Sequence, residues 1–357
     1  MYRINIRFVL NILYLIKNTL ITFILIKMIK LKNKKIVFNY RTDSRALFNM
    51  DLPLDMILFI ASMCSPVDAM NMFLALYGKE VMIEAMKKRK DCYLWDGICD
   101  LPYNVKSTII MPGVTRIDDC AFNSHGSLVD VHIPDSVTKI GDCAFYGCES
   151  MTSVTIPDSV TSIGADAFMG CESLTSVDIP DGVTKIGDCF FEGCESMTSV
   201  TIPDSVTTVG YCAFYGCESM TSVTIPDSVT SIGADAFSDC TSLTSVVIPD
   251  SVTTIGDNAF MGCISLISVD IPSVTSIGNN AFKECFSLSS VKIPDSVTKI
   301  GDCAFMDCES LTSVHIPDSV TKIGDYAFKN CYSLTNMDIP DSVTSFGNGV
   351  FDGCVSY

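Results

Sequence analysis

The chain has 357 residues, of which 48% are hydrophobic and only 18% are charged, and its formal net charge is −17. Residues 106–357 hold nine basic residues against 32 acidic ones, whereas residues 1–42 hold nine basic residues and no acid. A body this acidic repels phosphate, which argues against nucleic-acid binding. Three histidines leave little room for histidine-based catalysis or a histidine-rich metal site.

Residues 1–42 form a basic, apolar extension for which three interpretations stay open. Residues 8–26 are long enough for a membrane helix, and as an anchor they would keep the repeats on the cytoplasmic side. Arg3 and Arg7 precede this run, as in a signal peptide, but further basic residues follow it and no small-residue cleavage site is evident. The bias towards Ile, Leu, Asn and Lys also fits a spurious extension.

Residues 43–105 are predicted to form a small helical head. Apolar residues at helical spacing and the Ser65-Pro66 start signal support helices over residues 51–90. This segment resembles an F-box, which implies binding to the adaptor subunit of a cullin ubiquitin ligase through Leu52, Pro53, Ile57, Ile60, Pro66 and Phe73. The alternative is a helical cap that seals the first repeat with the same side chains as its core. Trp95 is expected to pack into that cap.

Eleven copies of a unit of 22 or 23 residues fill residues 106–357. The unit reads L-T-S-V-x-I-P-D-S-V-T-x-I-G-x-x-A-F-x-x-C-x-S. Its first part alternates apolar and polar residues, which predicts a strand, and the proline that follows ends that strand. V-T-x-I predicts a second short strand, and the glycine permits a bend. The A-F-x-x-C segment is predicted to return the chain as a short helical or 3₁₀ turn.

One such unit cannot bury its apolar face alone, so the units are expected to stack in register. The phenylalanine of every copy, from Phe122 to Phe351, would then form a buried aromatic column. The unit resembles the BspA-like leucine-rich repeat family. That resemblance implies a right-handed β-solenoid or horseshoe with short parallel strands, a role in adhesion or protein–protein contacts, and no enzymatic activity.

The cysteines fall into two columns of the repeat. Ten of them, from Cys148 to Cys354, occupy the position three residues after the phenylalanine and are predicted to be small buried side chains. Five others are predicted to be partly exposed and the only oxidisable ones: Cys120, Cys143, Cys189, Cys212 and Cys303. The repeats hold no C-x-x-C pair, so no metal site is predicted. Many free thiols favour a reducing compartment.

Two exposed columns are candidates for binding. The aspartate of the Pro-Asp-Ser turn either caps its own turn and is solvated, or it contributes to a Ca²⁺ ladder or to a docking site for a basic partner. The outward position of the strand is the concave-face position through which leucine-rich repeats commonly bind proteins. The predicted partner-binding residues there are His132, Thr155, Asp178, Asp270, Lys292 and His315.

Two functional hypotheses follow, and neither requires a cofactor. In the first, the chain is a non-enzymatic, intracellular interaction scaffold that presents partners to a ubiquitin ligase. In the second, it is a BspA-like surface or adhesion protein. No nucleophile–base pair, glycine-rich phosphate loop or H-E-x-x-H motif suggests an enzyme. Partners are therefore expected to be proteins, with membrane contact only if residues 8–26 are an anchor.

Overall fold

The computed structural model describes residues 93–97 and 101–355, and these residues form 22 strands and no helix. The chain divides into two compact units, Met1–Leu94 and Trp95–Tyr357, and the second unit holds the repeats. The predicted helices over residues 51–90 and the apolar run over residues 8–26 lie outside the described residues. Within those that are described, no helix is long and apolar enough to cross a membrane.

Each repeat contributes a wide strand of three or four residues before its Ile-Pro dipeptide. Asn336–Asp338, the last wide strand, keeps the same position in its repeat as the first. After the short β1 (Tyr93–Trp95), the wide strands are β2 (Ser107–Ile110), β4 (Asp130–His132), β6 (Ser153–Thr155), β8 (Ser176–Asp178), β9 (Ser199–Thr201), β11 (Ser222–Thr224), β13 (Ser245–Val247), β15 (Ser268–Asp270), β17 (Ser290–Lys292), β19 (Ser313–His315) and β21 (Asn336–Asp338).

A second, two-residue strand follows the turn in nearly every repeat. These narrow strands are β3 (Arg116–Ile117), β5 (Lys139–Ile140), β7 (Ser162–Ile163), β10 (Thr208–Val209), β12 (Ser231–Ile232), β14 (Thr254–Ile255), β16 (Ser276–Ile277), β18 (Lys299–Ile300), β20 (Lys322–Ile323) and β22 (Ser345–Phe346). Wide strands pair with wide strands and narrow strands with narrow strands.

The repeat pairings are parallel, and each residue pairs with its equivalent in the next copy. Val223 pairs with Val246 and Ile232 with Ile255, 23 residues apart in both cases. Where the repeat has one residue fewer, the pairing distance shortens with it, as in Ser268 with Ser290. The predicted in-register β-solenoid is therefore confirmed, because the pairing distance follows the repeat length coil by coil.

The A-F-x-x-C segment is not the predicted helical or 3₁₀ turn. Every coil places two residues four positions apart in the left-handed region, for example Cys143 (φ 53°) and Gly147 (φ 65°). A right-handed helix excludes such residues. Alternate amides of this segment donate to the next coil, as Phe145 N–H does to the Ala167 carbonyl at 2.8 Å. The amides between them close single turns within the coil, as Tyr146 N–H does to the Cys143 carbonyl at 3.2 Å. We call the part of the solenoid formed by the A-F-x-x-C segments the turn side. Hydrogen bonds join neighbouring coils on the turn side as well as through the strands.

The phenylalanines form the predicted buried column. Between Phe214 and Phe328 successive rings are nearly parallel, with centroids 5.1–5.4 Å apart and interplanar angles of 1–6°. Trp95 is 4% exposed, and its ring lies 4.8 Å from the ring of Phe122 at the N-terminal end of the column. The aromatic column and the isoleucine, valine and cysteine side chains around it are the core of the solenoid.

One coil departs from this regularity. Phe190 occupies the column that holds alanine in the neighbouring coils (Ala144, Ala167 and Ala213), and it is fully buried against Phe191 with ring centroids 4.7 Å apart. Here the column rings tilt by 21° and 27° and separate to 5.6 Å on both sides of Phe191. The narrow-strand ladder is also interrupted after β7 and resumes only with the Ile186–Val209 bridge.

The Pro-Asp-Ser turn is held by its serine and not by its aspartate. The hydroxyl of Ser319 donates to the Val297 carbonyl of the preceding coil at 2.7 Å, and the same bond recurs in most coils. Asp318 and its equivalents are exposed to solvent. Within the described residues no backbone N–H donates to these aspartates, so the predicted capping of each turn by its own aspartate is wrong. Backbone bonds close the turn instead, as from Val320 N–H to the Pro317 carbonyl at 3.0 Å.

Candidate protein-interaction surface

The outward strand positions form one continuous row, which we call the strand face. Parallel pairing places Asp270 beside Lys292, Lys292 beside His315, and His315 beside Asp338. All members are exposed except His132, which is partly buried. The strand face consists of His132, Thr155, Asp178, Thr201, Thr224, Val247, Asp270, Lys292, His315 and Asp338.

The six predicted partner-binding residues on this face fall into two separate groups. His132, Thr155 and Asp178 lie on consecutive wide strands, and so do Asp270, Lys292 and His315, with Thr201, Thr224 and Val247 between the groups. Burial lowers the pKa of His132, against the opposing effect of Asp130 and Asp135. The two histidines of the row do not come together. Their role in binding remains a prediction.

The residue after the core cysteine forms a second exposed row, which we call the outer row. It contains four glutamates on consecutive coils, followed by three uncharged residues and then one more glutamate. In chain order the outer row is Glu149, Glu172, Glu195, Glu218, Thr241, Ile264, Phe286, Glu309, Tyr332 and Val355. Successive members are one coil apart, which is about 4.8 Å in a parallel ladder.

The glutamate half of the outer row lines a groove of about 530 Å³, the acidic groove. Fourteen residues line it, and six of them are carboxylates and none is basic: Glu149, Glu172, Glu192, Glu195, Glu218 and Asp239. Tyr146 and Tyr215 also line it, and Tyr146 is 37% exposed. A hydrogen bond to Asp239 raises the pKa of Tyr215, so this phenol is neutral and oriented towards the carboxylate.

The local backbone explains why a groove lies beside the glutamates. The second left-handed position of the coil is glycine on four consecutive coils, as at Gly170 (φ +69°). A side chain there would be strained by its φ rather than by a lack of space, since a Cβ at Gly170 would lie 3.6 Å from the nearest atom. The glycines leave a floor of bare backbone between the row of glutamates and a mixed row that consists of Tyr146, Met169, Glu192 and Tyr215.

An exposed apolar patch continues the outer row beyond the groove. Ile264 and Phe286 follow Thr241 in the row, and Ile267 lies three residues after Ile264. Their exposed fractions are 40%, 40% and 54%. Most other residues on the surface of the repeats are serine, threonine or aspartate. The acidic groove and this apolar patch are therefore the two chemically distinctive parts of the outer row.

Nine of the ten cysteines in this column are buried, as predicted, and the last one, Cys354, is partly buried. The thiol of Cys171 donates to the Phe145 carbonyl of the preceding coil at 3.2 Å, and its equivalents repeat this bond. Burial raises the pKa of Cys148 to about 12. A thiol that is protonated and enclosed does not react with oxidants. These free thiols therefore give no indication of a reducing compartment, contrary to the argument from their number.

The second cysteine column is more accessible, as expected from its mixed composition. Cys120 is exposed, Cys143, Cys189 and Cys303 are partly buried, and only Cys212 is buried. The whole column is the first left-handed position of the coil, with φ between 49° and 58° at every non-glycine member. Within the described residues, one group could hold a metal ion: Cys189, Glu192 and Cys212 have ligand atoms within 4.8 Å of one another.

Sequence patterns did not reveal the acidic groove or the cysteine–glutamate group. A row of identical residues at the repeat period is a signal for the first, since four glutamates follow four core cysteines. In the cysteine–glutamate group, Cys189 and Cys212 are a full coil apart in the sequence, so no short motif contains both of them. The predicted F-box residues Leu52, Pro53, Ile57, Ile60, Pro66 and Phe73 all lie outside the described residues.

A family model for the BspA type leucine rich repeat region (6 copies) matches residues 102–219, 161–285 and 275–357. The chain belongs to the BspA-type leucine-rich repeat family. This fold is typically a non-enzymatic scaffold, and no catalytic family is indicated. None of the matches extends into residues 51–90, so the comparisons give no support to an F-box. No curated protein matches the chain.

Several solved structures are similar to this chain. A leucine-rich repeat protein from Bacteroides ovatus is 33% identical, with 70% of this chain and 77% of that chain covered and a TM-score of 0.47. A leucine rich cell surface protein from Faecalibacterium prausnitzii is 31% identical, covering 66% of this chain and 88% of that chain, with a TM-score of 0.35. A leucine-rich repeat protein from Eubacterium ventriosum is 28% identical, covering 70% and 83%, with a TM-score of 0.43.

Proposed function

We propose that this chain is a non-enzymatic protein-interaction module at a cell surface, and that it binds a partner segment carrying basic residues next to apolar ones. The observation that carries this proposal is the composition of the outer row, in which an acidic groove continues directly into an exposed apolar patch. Membership of the BspA-type family supports an interaction role of this kind. No specific observation favours an adaptor of a ubiquitin ligase.

Electrostatics favour a cationic partner in the groove. Neighbouring carboxylates about 4.8 Å apart repel each other by roughly 1 kcal/mol even in water. No lysine or arginine lines the groove to offset this repulsion. A lysine or arginine of a partner would relieve it and gain attraction from several carboxylates at once, and the field would also accelerate association at low ionic strength.

The tyrosines and the apolar patch supply aromatic and apolar contact area, which the charged side chains do not. Tyr146 and Tyr215 present aromatic surfaces in the groove, which suit both stacking and contact with a cation. Beyond Thr241, Ile264 and Phe286 offer apolar area that is costly to leave in water. Binding energy in protein interfaces concentrates on aromatic and apolar anchors, with charges setting orientation and rate. The strand face offers no aromatic side chain for this purpose.

A peptide-binding measurement tests the groove. The probe is a fluorescent peptide of alternating lysine and leucine, and the full chain is titrated at low and high salt. The variant Glu172→Gln with Glu195→Gln should weaken binding by about tenfold or more, which corresponds to the loss of roughly 1.4 kcal/mol. The matched control is Glu309→Gln, a change in the same row outside the groove, which should leave the affinity within about twofold.

Two outcomes would contradict the proposal that the acidic groove binds the partner. The first is equal weakening by the control and the groove variant, since this would indicate a general effect of net charge. The second is a loss of affinity on Asp178→Asn with Asp270→Asn on the strand face and none on the groove variant. In that case the predicted strand-face residues, and not the outer row, bind the partner.

The surface location is tested separately. Intact source cells are treated with a membrane-impermeant amine-labelling reagent, and the chain is recovered and analysed by mass spectrometry. Lys106, Lys139 and Lys299 lie on the described surface and should be labelled without lysis. Labelling only after lysis would contradict the proposed location at the cell surface and would favour an intracellular location.

A further inference from the structure

Cys189 and Cys212 occupy equivalent positions on adjacent coils. Their backbones are held by the ladder on the turn side, where Cys189 N–H donates to the Tyr211 carbonyl at 2.8 Å and Cys212 N–H donates to the Ala234 carbonyl at 3.0 Å. Both residues have left-handed backbones, with φ of 49° and 51°. Because the two residues share one conformation and lie one ladder spacing apart, their thiols are presented side by side.

Glu192 completes a group of three donors. It lies three residues after Cys189, and a turn hydrogen bond from Glu192 N–H to the Cys189 carbonyl at 3.3 Å brings its side chain back over the cysteine column. The Glu192 carboxylate faces the Cys189 thiol. The two sulfurs and a carboxylate oxygen all lie within 4.8 Å of one another.

We propose that Cys189, Glu192 and Cys212 form a zinc-binding site. Two thiolates and a carboxylate are ligands that Zn²⁺ accepts, and a water molecule would fill the fourth position of a tetrahedral ion. Zn–S bonds of about 2.3 Å place two thiolates roughly 3.8 Å apart in a tetrahedral site, so side-chain rotations that move the donors together by about 1 Å are enough. The partly buried positions of Cys189 and Glu192 leave the site open to solvent on one side.

The same column contains a natural comparison. Cys120 and Cys143 are also adjacent in the column, and Cys120 N–H and Cys143 N–H donate to the next coil in the same way. Their third positions hold Asn123 and Tyr146 in place of the glutamate. The Asp166 carboxylate lies 3.9 Å from the Cys143 sulfur, but Cys120, Cys143 and Asp166 do not bring three ligand atoms within 4.8 Å of one another. This pair should therefore bind Zn²⁺ more weakly, and a binding difference between the two pairs reports the closer grouping that Glu192 provides.

Charge and proton balance are consistent with a cation. Burial and the neighbouring Glu192 carboxylate raise the pKa of Cys189, and burial raises the pKa of Cys212. Asp166 on the preceding coil and Asp235 on the following coil add further negative charge near the thiols. Without metal both thiols hold their protons at neutral pH.

Binding of one ion displaces those two protons and exchanges two S–H bonds for two S–Zn bonds, with no change of oxidation state. Affinity should therefore rise by up to about 100-fold per pH unit below the pKa values of the two thiols.

The experiment uses the reduced full chain under anaerobic conditions. Zn²⁺ is measured by elemental analysis after dialysis, and Co²⁺ is titrated as a spectroscopic probe, because thiolate ligation gives an intense near-ultraviolet charge-transfer absorption. The wild-type chain should bind Zn²⁺ at this site, and Cys189→Ser or Cys212→Ser should reduce the stoichiometry by one ion per chain. Glu192→Gln should weaken Co²⁺ binding by about tenfold or more.

The matched control is Cys120→Ser with Cys143→Ser, which should retain the ion and the absorption. Circular dichroism of each variant separates loss of the site from loss of the fold. The proposal is overturned if the wild-type chain binds no Zn²⁺, if Cys189→Ser binds as much as wild type, or if the control loses the same ion.

Discussion

The left-handed residues set the path of the chain around each coil. Two of them per coil, four positions apart, turn the backbone without a helix and aim alternate amides at the next coil. The first of these positions is filled by Asp166, Asn258 or Gly349 in some coils, which are residues that tolerate this conformation. In others it is cysteine or tyrosine, whose backbone is strained there at a cost of roughly 1 kcal/mol.

Relief of this strain is measurable at Cys303 (φ 54°), which is partly buried and has no role in the proposed zinc site. Cys303→Asn should raise the free energy of unfolding by about 0.5–1 kcal/mol, because asparagine tolerates the left-handed region. Cys303→Val should lower the free energy of unfolding by about 1 kcal/mol or more, because a β-branched side chain is strained in the left-handed region. Urea unfolding of both variants checks the pair. Equal effects of the two changes would exclude backbone strain as the cause.

The buried thiols make the fold sensitive to alkali. The pKa of Cys148 rises from its ordinary value of 9.0 to about 12 in the folded chain. A raised thiol pKa means that the folded state holds the proton more tightly than the unfolded state. The stability it contributes is therefore present below pH 9 and is lost progressively as the pH rises from 9 towards 12.

We expect wild-type stability to fall steeply above pH 9, and Cys148→Ala to lose about 1.4 kcal/mol less than wild type between pH 8 and pH 10. Urea midpoints at the two pH values, under a reducing agent, measure this difference. Cys120→Ser, a change at an exposed thiol, is the control for general effects of removing a cysteine. An identical change of the urea midpoint between the two pH values in wild type and Cys148→Ala would contradict a contribution of the Cys148 thiol to the loss of stability.

At the scale of the element, the coil around Phe190 shows what the repeat tolerates. The extra ring fills volume that alanine leaves in neighbouring coils, and the adjacent rings tilt and separate. The narrow-strand ladder opens at the same point. Hydrogen bonds on the turn side cross this gap, as from Phe168 N–H to the Phe190 carbonyl at 3.1 Å. The solenoid therefore absorbs one oversized residue by losing local strand pairing and not by breaking.

Truncation of Phe190 and truncation of its neighbour Phe191 should lower the free energy of unfolding by different amounts. Phe191→Ala removes a ring from the stacked column and should cost about 3–5 kcal/mol, because its neighbours cannot close the cavity. Phe190→Ala restores the residue type of the other coils, so the coil can relax to the regular spacing and the cost should be less than about 2 kcal/mol. Chemical denaturation compares the two variants. A larger cost for Phe190→Ala would show that this ring is an integral part of the core.

At the scale of the molecule, stability is the sum of coils and of the contacts between neighbours. Residues 143–168 and 212–237 have the same sequence, three coils apart. The two segments nevertheless stack on different preceding coils, because Phe145 packs on Phe122 and Phe214 packs on Phe191. The same coil sequence thus accepts different neighbours, which indicates that whole coils can be removed.

Deletion of residues 143–211 tests this modularity. It joins Asp142 to Cys212 and removes three coils, including the one that holds Phe190. The shortened chain should fold and unfold cooperatively, with a denaturant m-value lower by about a quarter, since m scales with the surface exposed on unfolding. The control deletion, residues 143–200, removes a length that is not a multiple of the repeat and should not fold. Failure of the first deletion, or success of the second, would contradict the modular account.

The sequence by itself determined the solenoid, its register and its core. A period of 22 or 23 residues with phenylalanine, cysteine, isoleucine and valine at constant positions has one way to bury them, which is to stack every copy on the next. The 22-residue spacing between Ser268 and Ser290 follows from the same rule, because the shorter repeat carries its own shorter register. These features depend only on which side chains avoid water.

Only the tertiary structure decided the turn side. The left-handed residues do not follow the periodicity of a helix or a strand, so the A-F-x-x-C segment was wrongly predicted as a helical turn. The acidic groove and the group formed by Cys189, Glu192 and Cys212 lie on that side and join residues one or more coils apart. Their distances depend on the backbone path between stacked coils, which pattern rules for single elements do not describe.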